Sequence, residues 1–231
     1  MIERLPGAEP MTPEIAALVR LAAAMSSPSE AILADAMRGA AEVADRVAAE
    51  EVLLQGYLFV GYPAVLRALA MWRRLVGGPA AAVAPAETRE DWAERGAQVC
   101  ARIYGGAYER LRKNVAGLHP DLERWMVEEG YGKVLGRPGL DLKERELCVV
   151  ALLAGLPASH QLHSHLRGAL NAGAAPEEVD AALELAGMFL RPERLAAARR
   201  LWDDVYRRWL ERMAASLESA QPESLEGRGG V

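Results

Sequence analysis

A helical hairpin within residues 132–173 is the feature that most constrains how this chain folds. Asp141 can cap a helix whose apolar run ends at Gly155, and Ser159 can cap a second helix that ends near Gly173. The connection between them is short, so the two helices are expected to run antiparallel and to pack against each other. The rest of the chain has to cover the apolar faces of this hairpin.

Composition extends the helical prediction to the whole chain. Alanine and leucine dominate, aromatic residues make up 6% of the sequence, and no long stretch alternates with period two. We therefore expect an all-α protein. Residues 90–114 are predicted to form one long helix, and Asp121 is predicted to open a short helix that ends at Gly130.

Two ionisable residues are placed to meet across the hairpin. Glu146 lies ten residues before Leu156 at the bend and His165 lies nine after it, so antiparallel helices set them at nearly the same height. His163 and His165 flank the apolar stripe of their helix on opposite sides, and periodicity alone does not choose between them. A carboxylate beside an imidazole is a pair suited to proton transfer.

Metal and thiol sites are less favoured by the spacing. His160 and His163 share a helix face, but His165 points away and no acidic residue completes a ligand set, so we expect no metal site. Cys100 and Cys148 have neither zinc-site nor redox-motif spacing and are expected to be free thiols in a reducing compartment.

The segments RPGLDLKERELCVVALLA and QLHSHLRGALNAGAAPEEV resemble the carboxymuconolactone decarboxylase family, whose other branch contains the AhpD-type alkylhydroperoxidases. The resemblance is dense over about residues 130–180 and implies an AhpD-like helical fold. In the peroxidase branch the working residues are a glutamate, a C-x-x-C pair that can enclose a histidine, and a second histidine. The matching positions here are Glu146 for the glutamate, Ala158 and Gln161 for the cysteines, and His160 and His165 for the histidines.

The missing cysteine pair places this chain closer to the decarboxylase branch. That resemblance implies cofactor-free removal of a carboxylate from a small unsaturated acid or lactone, with His165 transferring a proton and Glu146 orienting the imidazole. It adds candidate substrate-binding residues, which are His160, Gln161 and the three arginines Arg137, Arg145 and Arg167. Each arginine is equally suited to a surface salt bridge.

Two other functions stay open. A thiol-dependent oxidoreductase or peroxidase would have to use Cys148 or Cys100, and the absent C-x-x-C disfavours it. A non-catalytic helical assembly module would leave Glu146 and His165 exposed, with no pocket near them.

The chain carries signs of an internal duplication. A shift of 129 residues aligns Arg38-Gly39-Ala40 with Arg167-Gly168-Ala169, and Pro63 with Pro192. We expect two tandem, unequal copies of a four-helix unit, at residues 1–75 and 89–213. The second copy includes a helical lead-in, a Gly/Pro/Ala-rich linker spans 76–88, and a disordered tail spans 214–231.

The two copies differ in their functional residues. Ala17 and Ala36 stand in the first copy where Glu146 and His165 stand in the second. The first copy keeps FVGYP, which resembles the Y-x-G-x-P segment of the family. We expect the copies to pack face to face, with Tyr57 and Tyr62 forming an aromatic wall for the site of the second copy.

Charge and hydropathy limit the partners. The formal net charge is −5 and no basic cluster is longer than paired arginines, so nucleic acid is a poor candidate partner. The longest apolar run is too short to span a bilayer, and the N-terminus lacks a signal-peptide core, so we expect a cytoplasmic protein that binds a small molecule. The resemblance implies a homo-oligomer, either a trimer of pseudo-hexameric architecture or a dimer.

Overall fold

The computed structural model describes residues 11–79 and 87–220. All regular secondary structure in these residues is helical and none is a strand, which confirms the predicted all-α class. The linker predicted at 76–88 and the tail predicted at 214–231 lie partly outside the described residues. Within the predicted tail, the last helix continues to Ala220.

The helices of residues 11–79 are α1 (Pro13–Ala24), α2 (Glu30–Val43), α3 (Arg46–Gln55), α4 (Tyr57–Val60) and α5 (Tyr62–Val76). Those of residues 87–220 are α6 (Arg89–Tyr104), α7 (Tyr108–Leu118), α8 (Pro120–Trp125), α9 (Leu142–Gly155), α10 (Ser159–Ala172), α11 (Pro176–Gly187) and α12 (Pro192–Ala220). A 3₁₀ turn, Gly105–Ala107, joins α6 to α7, and a π-helical segment, Met126–Leu135, follows α8.

Helix α9 forms the centre of the protein. Every residue from Arg145 to Ala154 is buried, because α1, α10 and α11 pack around it. Helix α1 is buried in the same way from Ala17 to Ala24, except for Arg20. Helices with apolar residues on all sides belong in a core, and α1 and α9 supply the interior that fixes the position of the hairpin α9–α10.

Two glycines explain where the predicted helices of residues 90–130 were wrong. The single helix expected over 90–114 is interrupted at Gly105, whose φ of 52° lies in the left-handed region that favours glycine. The helix expected to end at Gly130 instead continues as the π-helical segment. There Gly132 approaches α6 so closely that a Cβ would lie 1.9 Å from the carbonyl oxygen of Trp92. This backbone contact holds α6 against the π-helical segment, which borders the candidate site.

Candidate active site

Glu146 and His165 meet across the hairpin. Glu146 lies in the second turn of α9 with 0% of its surface exposed, and His165 lies in the middle of α10 with 5% exposed. His165 Nδ1 is 2.8 Å from Glu146 Oε2. Because an ionised carboxylate can only accept, Nδ1–H is the donor, and Nε2 is the ring nitrogen left for other partners.

The second oxygen of this carboxylate is unusual. Glu146 Oε1 is buried and has no hydrogen-bond partner among the described residues. A buried carboxylate oxygen without a donor is costly, and such atoms cluster at functional sites. The imidazole of His165 is the one side chain that hydrogen-bonds this carboxylate among the described residues.

His165 opens into a cavity of about 290 Å³. Phe59 stands edge-on to the imidazole, with ring centroids 5.6 Å apart. The lining is mostly apolar and comes from three parts of the chain: Tyr57, Leu58, Phe59, Leu122, Trp125, Met126, Glu129, Gly130, Tyr131, Leu135 and His165. Glu129 is the only carboxylate among the lining residues that the structure describes, and it accepts a hydrogen bond from the Tyr57 hydroxyl at 3.0 Å.

Two tyrosines connect this cavity to α6. The Tyr131 hydroxyl donates to the Tyr104 hydroxyl at 3.0 Å, and their rings meet edge to face. Burial raises the pKa of Tyr104 to about 12 and raises the pKa of Tyr131 well above its ordinary value. Both hydroxyls therefore stay protonated at neutral pH, and the hydrogen of Tyr131 is used in the bond to Tyr104.

Gly168 makes the contact of Glu146 and His165 possible. It lies on α10 one turn after His165, and a Cβ there would lie 2.6 Å from Glu146 Oε2 and 2.9 Å from Ile103 Cγ2. Any side chain at this position would occupy the place of the carboxylate. Gly39 is the residue that the 129-residue shift aligns with Gly168, and no atom of the described residues lies within 4 Å of its Cβ position.

We expect Gly168→Ala and Gly39→Ala to change stability in opposite directions. At Gly168 the added methyl overpacks the core and should lower the free energy of unfolding by about 1–3 kcal/mol. At Gly39 the same change replaces a flexible residue within a helix by a better helix former. It should raise the free energy of unfolding by about 0.5–1 kcal/mol. Urea unfolding of the two variants measures both values, and a stable Gly168→Ala protein would show that the carboxylate is not confined there.

The other predicted site residues lie away from this cavity. His160 and Gln161 are exposed at the start of α10, and Tyr62 is exposed beside Tyr57, with ring centroids 5.3 Å apart. Arg167 lies on the face of α10 opposite His165 and lines a different cavity. None of these four lines the cavity that contains His165.

Arg145 lies in a buried cluster between α9 and α3. Its guanidinium donates to Glu51 at 2.8 Å, to Gln55 at 3.2 Å and to backbone carbonyls of residues 137, 138 and 140. Arg137 also pairs with Glu51, at 3.1 Å. Burial lowers the pKa of Arg145, and the ion pair with Glu51 opposes that shift. Both arginines thus join the two halves of the chain.

The two cysteines are buried and free. Burial raises the pKa of Cys100 to about 12 and also raises the pKa of Cys148. Since the thiolate is the nucleophilic form, neither cysteine has the surroundings of a redox-active thiol.

The part of the cavity that residues 122–135 form did not follow from the sequence. Trp125 and Met126 lie in the short helix that was predicted to end at Gly130, and neither they nor Tyr131 were predicted to line a site. No spacing rule connects these residues to a hairpin further along the chain. The one feature of the sequence that could have indicated their place in the cavity was their position, because the segment directly precedes the hairpin.

No group of histidine, cysteine, aspartate and glutamate suited to a metal ion occurs within residues 11–79 and 87–220. In the same part of the chain, no helix combines the length and the apolar character needed to cross a membrane.

Comparison with known proteins adds a family and two relatives. Residues 120–204 match the model of the carboxymuconolactone decarboxylase family. Peroxisomal protein 2 of Schizosaccharomyces pombe is 29% identical over 141 residues, which cover 59% of this chain and 65% of that protein. A nitrosuccinic acid decarboxylase of Metarhizium robertsii is 31% identical over 97 residues, which cover 42% of this chain and 68% of that protein.

These relatives are matched only in part. The chain spans slightly less than two thirds of the Schizosaccharomyces pombe protein and slightly more than two thirds of the Metarhizium robertsii protein. The first of them carries a peroxisomal name, so the cytoplasmic location expected from the sequence stays a prediction.

Proposed function

The chain belongs to the carboxymuconolactone decarboxylase family, and from this premise we propose that it is a decarboxylase acting on small carboxylic acids without a cofactor. The observation that carries the proposal is the buried contact of 2.8 Å between His165 and Glu146 beside an apolar cavity. A relative named for decarboxylation of nitrosuccinic acid supports the same reaction class.

The first step is binding of the substrate carboxylate. No arginine or lysine is among the described residues that line the cavity. The substrate carboxylate therefore moves from water to a mostly apolar lining that contains one histidine. Loss of CO₂ disperses the negative charge of a carboxylate, and the apolar lining therefore favours the transition state over the ground state. When it is protonated, His165 can orient the anion, and it is the one described lining residue that can carry a positive charge. In this proposal it takes the role that sequence analysis gave to an arginine.

The second step is breakage of the carbon–carbon bond. The electron pair of that bond stays on the substrate carbon, and CO₂ leaves. The pair needs an electron-withdrawing neighbour, such as the carbonyl of an unsaturated lactone or the nitro group of nitrosuccinic acid. Small acids that carry such a group are therefore the proposed substrate class.

The third step is protonation of that carbon. Nε2–H of the imidazolium delivers the proton, and Glu146 stabilises the charged ring through Nδ1. The neutral histidine then recovers a proton from water, which completes the cycle. In this scheme, Glu146 Oε1 has no donor among the described residues that would share the negative charge of the carboxylate. The carboxylate therefore attracts the charged ring more strongly.

The alternatives receive less support. A thiol oxidoreductase would need a thiolate, and both thiols are buried with raised pKa values. An assembly module would leave Glu146 and His165 exposed, and both are buried.

The internal duplication is also part of the proposal. Helix α2 corresponds to α10 residue for residue under the 129-residue shift, since Glu30 aligns with Ser159 and Val43 with Ala172. A cavity of about 530 Å³ next to α2 is lined by Ala17 and Ala36, which replace Glu146 and His165. We infer that the first copy lost its ionisable pair and now contributes Tyr57 and Phe59 to the site of the second.

CO₂ release from a panel of acids tests the function. The panel contains unsaturated lactone carboxylic acids, nitrosuccinic acid, and saturated acids of the same size that lack an electron-withdrawing group. We expect release from at least one of the first two classes and none from the saturated acids. Release at the enzyme-free rate from every acid would reject the assignment.

A further inference from the structure

A second cavity, of about 420 Å³, lies between α10 and α12. Its polar lining is dominated by cations: His163 and Arg167 on α10 face Arg208 and Arg212 on α12. In each helix the two residues are four positions apart, so their side chains lie next to each other on the same helix face. Arg167 is two residues from His165, which is about 200° around the helix, and the cavity is separate from the one described above.

The described acidic groups near this cavity pair with arginines of α12, and none of them pairs with Arg167. Glu211 is the one carboxylate among the described lining residues, and it pairs with Arg207 at 3.3 Å. Asp204 pairs with Arg208 at 3.1 Å and also with Arg207. Among the described residues, Arg167 therefore borders a space lined by further cationic side chains, and the carboxylates beside it are already paired on α12.

A bound anion would supply Arg167 with a hydrogen-bond acceptor and a counter-charge. Arg167 is half-buried and has no hydrogen bond or ion pair within the part of the chain that the structure describes. Burial lowers its pKa, and the nearby Arg212, Arg110 and Arg208 lower it further. A half-buried guanidinium among like charges is unfavourable, and an anion between the two helices would offset that cost.

We propose that the cavity between α10 and α12 binds a phosphate group, with the Arg167 guanidinium as its inner ligand. The planar guanidinium of arginine matches phosphate oxygens in bidentate geometry, and a dianion suits a cavity lined by several arginines better than a monocarboxylate does. The cavity is larger than a phosphate ion, so the group can belong to a phosphorylated metabolite or be free phosphate. The site does not depend on the proposed decarboxylase activity.

Calorimetric titration in a phosphate-free buffer tests this site. The probes are inorganic phosphate and glucose 6-phosphate, each compared with potassium chloride at equal ionic strength. We expect saturable binding of at least one phosphate probe and none of chloride. Tighter binding of glucose 6-phosphate identifies a phosphorylated metabolite as the ligand, and equal or tighter binding of inorganic phosphate identifies free phosphate. Absence of saturation by both probes would overturn the proposal.

Two substitutions locate the binding. Arg167→Gln should raise the Kd by about tenfold or more, because a charged bidentate contact is lost. Arg38→Gln is the matched control, since Arg38 aligns with Arg167 under the 129-residue shift but is exposed and paired with Asp35. Its Kd should equal that of the wild type. Arg167→Lys keeps the charge without the fork and should bind with intermediate affinity. Unchanged binding by Arg167→Gln would show that the anion binds elsewhere.

Discussion

Replacing His165 with alanine should lower the kcat of decarboxylation by about 10²–10⁴, the usual contribution of a positioned proton donor. Of the lining residues within 11–79 and 87–220, His165 is the only one whose side chain can both carry a positive charge and release a proton to the substrate carbon. The effect of the substitution should fall on kcat more than on KM, because the apolar walls that enclose the substrate stay in place. Initial rates of CO₂ release with the best acid of the panel give both constants.

His160→Ala is the matched control for this result. His160 lies on the same helix but is exposed and does not line the cavity, so its removal should leave kcat and KM unchanged. Circular dichroism should show the same helical signal for both variants. Undiminished turnover in His165→Ala would exclude His165 as the proton donor, and equal losses in the two variants would point to a general effect on α10.

The position of this histidine shows what the sequence could and could not predict. The hairpin, and the meeting of Glu146 and His165 across it, followed from helix-capping residues and from the number of residues between each side chain and the bend. Both are local signals. The choice between His163 and His165 did not follow from them, because both flank the apolar stripe of α10. Family resemblance selected His165, and His163 proved to line the cationic cavity on the other side of the helix.

Contacts between distant parts of the chain could not be predicted in this way. The sequence left Arg145 equally suited to a surface salt bridge, yet it is fully buried, because Glu51 and Gln55 supply its counter-charge and acceptor. These partners are about 90 residues away in sequence, so no window over α9 contains them. The π-helical segment escaped prediction for a related reason, since its shape depends on the close contact between Gly132 and α6.

Arg145→Met should lower the free energy of unfolding by about 3–5 kcal/mol, the range expected when one partner of a buried ion pair is removed. Methionine fills most of the volume but donates nothing to Glu51, Gln55 or the carbonyls that Arg145 now satisfies. Arg38→Met, which removes an exposed pair with Asp35, should change the value by no more than about 1 kcal/mol. Urea unfolding of the two variants provides the comparison.

A double-mutant cycle separates the ion pair from simple loss of packing. Glu51→Gln removes the buried negative charge, so the free-energy losses of Arg145→Met and Glu51→Gln should not add when the two are combined. Additive losses would mean that the charges do not interact. The same proteins decide whether Arg145 binds substrate, as sequence analysis allowed. If it only joins α9 to α3, the folded Arg145→Met protein keeps its KM, whereas a raised KM with unchanged stability would return Arg145 to substrate binding.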